Sequence, residues 1–129
     1  MVFQLPDNLH PHCGPIAWLL GTWHGNGHGD YPTIDKFSYG QELIFTHDGR
    51  PFFHYMARAW IVDEEGVKVR DAAIETGFLR CPEQGKIEML LSHSSGITAL
   101  WHGEAADGKM ELITDAVVRS ETAKEVVAG

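Results

Sequence analysis

Turn signals recur along this chain at intervals that leave room for little except hairpins: His47-Asp48-Gly49-Arg50, Glu64-Glu65-Gly66, Pro82-Glu83-Gln84-Gly85, Ser94-Ser95-Gly96 and Ala106-Asp107-Gly108. Glycine and aspartate supply the backbone angles that tight turns require. Between the turns lie runs of about 7 to 12 residues rich in aromatic and β-branched types, the pattern of consecutive antiparallel strands. Within the run from Phe37 to Phe45, the residues Phe37, Tyr39, Leu43 and Phe45 fall on one face. From Ile87 to His93 the odd positions form the apolar row, and Met110 to Val118 alternates over much of its length. One side therefore faces a core and the other faces water. A meander of about seven or more such strands protects its edges best by closing, and small closed sheets commonly hold one apolar ligand. The expected fold is all-β, an antiparallel up-and-down β-barrel. A short N-terminal helix is expected over Pro15 to Leu20, with Pro15 in its first turn, covering one end.

Composition sets the class of molecule. A chain of 129 residues with 43% hydrophobic and 22% charged residues is expected to form one domain, residues 1–129, around a single core. The formal net charge of -8 argues against nucleic-acid and anionic-membrane partners, which want a basic face. The apolar run from Ile16 to Leu20 is far too short to span a bilayer. Cys13 and Cys81 are too few for a disulfide framework and do not form a CxxC pair, so they read as free thiols in a reducing, cytoplasmic setting.

The most unusual segment is Gly21-Thr22-Trp23-His24-Gly25-Asn26-Gly27. Alternation along a strand places Gly21, Gly25 and Gly27 on one face with Trp23 among them, leaving that face almost bare. Either a bulky ligand lies flat against the backbone there, or the glycines relieve a bend in a curving strand.

These residues carry a resemblance. The segment matches the GxWxGxG signature of the nitrobindin family, ferric haem-binding β-barrels built like fatty-acid-binding proteins. In order along the chain come further matches at Tyr31-Pro32-Thr33-Ile34, Phe37-Ser38-Tyr39, Gly49-Arg50-Pro51-Phe52, Glu75-Thr76-Gly77-Phe78, Ser95-Gly96-Ile97 and Thr122-Ala123-Lys124-Glu125-Val126. The resemblance covers nearly the whole chain. It implies a haem b lying against the glycine wall, with Gly21, Thr22, Trp23, His24, Gly25, Asn26, Gly27 and Thr33 as cofactor-binding candidates. It also implies one histidine on the iron, reaction with nitric oxide, and isomerisation of peroxynitrite to nitrate.

Two departures from the family pattern bear on that expectation. Family members usually continue through two more strands, the last carrying the axial histidine, whereas this sequence stops at Gly129. Where typical members have a Met-His pair, this chain has Ala72-Ala73. The expectation is a nitrobindin-like protein incomplete at its C-terminus and lacking the axial histidine, with no metal ligand assigned and no catalytic residue. It would hold a small apolar ligand or none, and its open barrel edges would favour a homodimer. The alternative is a haem-binding peroxynitrite isomerase with a substitute ligand.

The histidines decide between the two. His10 and His12 lie in a tail, while His47 and His102 sit at a turn and a strand end. His24 and His28 would stand about 13 Å apart on an extended strand, too far for one metal ion. His54 shares parity with Phe52, Met56 and Trp60, and His93 with Ile87, Met89 and Leu91, which makes these two the candidate substitute ligands. Trp23, Trp60 and Trp101 read as core or cavity wall. Glu75 is expected to form a structural ion pair with Arg58 or Arg80.

Overall fold

A computed structural model describes residues 8–31 and 34–123, with side chains outside the stretch 27–37. After a 3-10 helix, Pro11–Leu19, seven strands follow in order: β1 (Gly21–Tyr31), β2 (Ile34–Thr46), β3 (Phe52–Val62), β4 (Lys68–Glu83), β5 (Lys86–His93), β6 (Ile97–Ala106) and β7 (Lys109–Arg119). Every strand pairs antiparallel with the next, giving one seven-stranded sheet in sequence order with β1 and β7 as its outer strands. Short connections make this order the natural one, since each hairpin delivers the chain beside the strand it has just left.

All five anticipated turns join consecutive strands. Asp63 shows how such a turn is held, its Oδ1 accepting from the N–H groups of Glu65 and Val67, both at 2.9 Å, while Gly66 takes a φ of 83°. Side-chain parity then sorts the sheet into two faces. The inner face carries Phe45, Phe53, Tyr55, Leu79, Cys81, Ile87, Met89, Ala99 and Ala105, and all are buried. Phe53 and Leu79 are fully excluded from water, and burial of side chains this size contributes about 1.5 to 3 kcal/mol each.

The helix differs from its expected form. It begins at Pro11 rather than Pro15, it has 3-10 geometry, and Pro15 lies inside it. His10 provides the reason at the start: its ring Nδ1 accepts from the His12 N–H at 3.1 Å, satisfying a donor that the first turn would leave orphaned. Cys13, Ile16, Ala17 and Leu19 of this helix are buried against the sheet, packing on β4 and β6.

A second correction concerns β3. The buried row is Phe53 and Tyr55, so His54 and Met56 belong to the opposite, outer face. Both rows of this strand are aromatic-rich, which made parity ambiguous until the partner strands fixed it: Phe45 pairs with Tyr55, and His54 with Phe78. Trp60 is likewise not a cavity wall, because it covers Gly40 on the outer face.

Candidate functional site

The register of β1 against β2 tests the glycine wall directly. Gly21 faces Phe45, Trp23 faces Leu43, Gly25 faces Gln41 and Gly27 faces Tyr39, so the glycines and Trp23 occupy the inner face. Thr22, His24 and Asn26 alternate onto the outer face. Trp23 anchors the start of this wall, its Nε1 donating to the Leu19 carbonyl of the 3-10 helix at 2.7 Å. Thr33 lies outside the described residues, so its place at the site is not part of this geometry.

Gly25 is informative because nothing around it demands glycine. A Cβ added there would meet only Gln41, at 3.7 Å, which is ordinary contact. Its φ lies outside the left-handed region, so a side chain would fit without backbone strain. The bare surface is thus spare space, where a flat ligand can approach the backbone.

Next to it, on the same face, is a recess of about 190 Å³ lined by Gln41, Tyr55, Ala57, Arg58, Ala59, Ala73, Glu75 and His93. Three alanines on neighbouring strands extend the low-relief floor begun by the glycines. The recess alone is smaller than the usual few hundred cubic ångströms of a cofactor site, and the bare face of β1 continues it. Its polar groups are few and ordered. The Tyr55 hydroxyl donates to Glu75 Oε1 at 2.7 Å, and Glu75 has neither Arg58 nor Arg80 as its partner, contrary to expectation. Arg58 reaches Glu42 at 2.9 Å and Arg80 reaches Glu88 at 2.6 Å, both on the outer face. Burial, followed by the Glu75 carboxylate, holds the Tyr55 hydroxyl protonated well above the usual tyrosine range.

His54 and His93, the two candidate ligands, occupy opposite faces. The Thr76 hydroxyl donates to the Tyr55 carbonyl at 2.9 Å, so at 3.0 Å it accepts from His54 Nε2–H; the His54 ring also packs against Phe78. His93 is on the pocket face, opposite Glu75 in register. Its Nδ1 accepts from the Ser95 N–H at 3.0 Å and lies 2.7 Å from Ser95 Oγ. An Nδ1 that accepts keeps its lone pair, so the neutral ring carries its hydrogen on Nε2. Ligation through Nε2 would require that proton to move and the Ser95 bond to be given up. His24, meanwhile, sits on the outer face 2.9 Å from Glu42.

Strand alternation anticipated the shared face of Gly21, Gly25 and Gly27, whereas the Tyr55–Glu75 pair and the alanine floor were not anticipated. Their signal lies in the odd positions of β3 and β4, which become legible only once parity is known. A larger recess of about 520 Å³ lies over the outer rows of β5 to β7, where Glu88 and Glu104 are already engaged by Arg80 and Lys86. No group of three or more histidine, cysteine or acidic side chains able to hold a metal occurs among the described residues. No helix among them is long and apolar enough to cross a membrane.

A meander sheet with a packed lower half, a capping helix and a side-chain-poor upper wall defines a small antiparallel β protein. More specifically, the chain belongs to the THAP4-like, heme-binding beta-barrel domain family, which it matches over residues 12–129. It is 70% identical, over all 129 residues, to a Nocardioides protein named peroxynitrite isomerase, covering 79% of that protein. Two Streptomyces griseus proteins are also similar. One, named peroxynitrite isomerase, is 48% identical over 92% of this chain and 65% of its own length. The other, named ferric nitrobindin-like protein, is 41% identical over 92% of this chain and 64% of its own length. This chain therefore spans a little under two thirds of either Streptomyces relative. Among solved structures, that of Rv2717c from M. tuberculosis superposes with a TM-score of 0.78 at 35% identity, covering 92% of this chain and 76% of the other.

Proposed function

We propose that this chain forms the haem-binding wall of a nitrobindin-like protein that acts in peroxynitrite isomerisation. The observation that carries the reading is Gly25, whose missing side chain serves no packing or backbone need, beside a floor of Ala57, Ala59 and Ala73. These residues fit a flat apolar macrocycle: Gly21, Gly25 and Gly27 would lie along its plane, and Trp23 would border it. Haem would supply a ferric centre for the oxidant. The residues of this chain would exclude water from one side of the ring and set a single polar edge, where Tyr55 holds Glu75 in place and His93 presents an Nε2–H.

A second reading is favoured by the histidines. His24, His54 and His102 project from the outer rows, and His93 is committed to Ser95, so none of these four rings is presented as a free iron ligand. A barrel that keeps the wall for a small apolar molecule without iron chemistry fits that arrangement.

Titration of the purified chain with ferric haemin, followed at the Soret band, separates the two. Saturable one-to-one binding, weakened by Gly25→Leu, supports the haem reading. If His93→Ala abolishes it, His93 is the ligand after a tautomer change. A weak response that does not saturate and ignores both substitutions rejects the haem reading in favour of the second.

A further inference from the structure

Away from the wall, Cys13 of the 3-10 helix and Cys81 of β4 are both fully buried, with the Cys13 thiol donating to Cys81 Sγ at 3.5 Å. They are 68 positions apart in sequence, and both are free. The contact is flanked by a second tie between the same elements, His12 Nδ1 lying 3.1 Å from the Cys81 carbonyl oxygen. Two sulfurs brought this close across a core need only a small closure to reach the S–S bond length of about 2 Å.

We propose that Cys13 and Cys81 form an oxidation site, which a hydroperoxide-class oxidant converts to an intramolecular disulfide pinning the 3-10 helix to β4. The assignment does not depend on haem. In the first step the Cys13 sulfur attacks the terminal peroxide oxygen. An S–O bond forms and the O–O bond breaks, leaving Cys13 as a sulfenic acid and releasing water from hydrogen peroxide, or nitrous acid from peroxynitrous acid. In the second step the Cys81 sulfur attacks the sulfenic sulfur. The S–S bond forms, the S–O bond breaks, and hydroxide leaves with the Cys81 proton as water. Two thiols lose two electrons in total, and the peroxide gains them.

Packing decides when this happens. Burial pushes both thiols up from the usual cysteine range, and Cys81 further, since the Cys13 sulfur beside it also opposes its ionisation. At rest the pair is inert. Cys13 belongs to a single short helix packed on β4 and β6, so lifting of that helix admits the oxidant to Cys13 while Cys81 stays on the sheet.

The test treats the wild-type chain with hydrogen peroxide in native buffer, then denatures it in iodoacetamide and measures its intact mass. The expected product is a monomer without alkylation, lighter by two hydrogen atoms, restored by dithiothreitol and melting roughly 10 °C above the reduced chain. In Cys81→Ser, dimedone is expected to trap the sulfenic acid on Cys13. Two alkylated thiols after treatment, a disulfide-linked dimer, or accumulation of sulfinic acid would each overturn the proposal. The mass readout on the wild-type chain stands even if the serine variant does not fold.

Discussion

Tyr55 and Glu75 are joined at 2.7 Å on the pocket face, a hydroxyl on β3 donating to a carboxylate on β4 from a residue only 6% exposed. The bond gives Glu75 its partner in a recess floored largely by alanine. Removing the donor with Tyr55→Phe leaves the carboxylate short of a partner, and the expected loss of stability is about 1 to 2 kcal/mol. Denaturant unfolding of the two proteins measures it; an unchanged midpoint would mean that Glu75 finds water as an equal substitute.

The same pair governs alkaline behaviour. Because burial and Glu75 raise the Tyr55 pKa above its ordinary value of 10.0, the folded chain holds this proton where an unfolded one releases it. The associated stability is fully present below pH 10 and is lost as pH rises toward the folded value. Phenolate absorbance should show a component that ionises late, together with unfolding. That late component should vanish in Tyr55→Phe, and its survival there would assign it elsewhere.

Two glycines on the inner face should respond in opposite ways. Gly25→Ala places a methyl in ordinary contact with Gln41, so stability should change by less than about 1 kcal/mol, with a gain from the stiffer unfolded chain. At Gly77 an added Cβ would overlap the backbone carbonyl oxygen of Leu90, which cannot step aside without breaking the β4–β5 pairing. Gly77→Ala should cost about 3 kcal/mol or more, as overpacking against backbone does. Equal effects in thermal unfolding would show that Gly25 is also held by packing.

On the outer face, Glu42 accepts from His24 at 2.9 Å and from Arg58 at 2.9 Å, bridging β1, β2 and β3. The His24 bond first, then Arg58, holds its carboxyl below the ordinary value of 4.5. The sign is that of a depressed acid: the stabilisation is present above pH 4.5 and is lost as pH falls through the folded value. Glu42→Gln should flatten the acid limb of the stability profile. An acid limb identical to wild type would place the responsible carboxylates elsewhere.

How far the sequence could be read follows from periodicity. Turn chemistry is local, so His47-Asp48-Gly49 and Ser94-Ser95-Gly96 announced their hairpins without help from the rest of the chain. Ile87, Met89 and Leu91 likewise declared their face because Glu88 and Ser92 alternate with them. β3 resisted for the opposite reason: Phe52, Phe53, His54, Tyr55 and Met56 offer apolar bulk on both faces, and only pairing with Phe45 selects one. Glu75 was misassigned to an arginine because charge suggests charge, whereas the nearest donor on its face proved to be a buried phenol. The start of the helix was missed because His10 caps through its ring, a role that its residue type does not advertise.

The inner face is divided between an end packed with Phe53, Leu79, Ile87 and Met89 beneath the 3-10 helix and an end floored by Gly25, Ala57, Ala59 and Ala73. Most of the free energy that keeps the chain folded is thereby gathered away from the region that would meet a ligand. Substitutions at the open end are free to reshape what is bound while the closed end goes on specifying the fold. A lineage built on this plan can diversify its chemistry by drift at a few small residues, without first acquiring extra stability to survive the change.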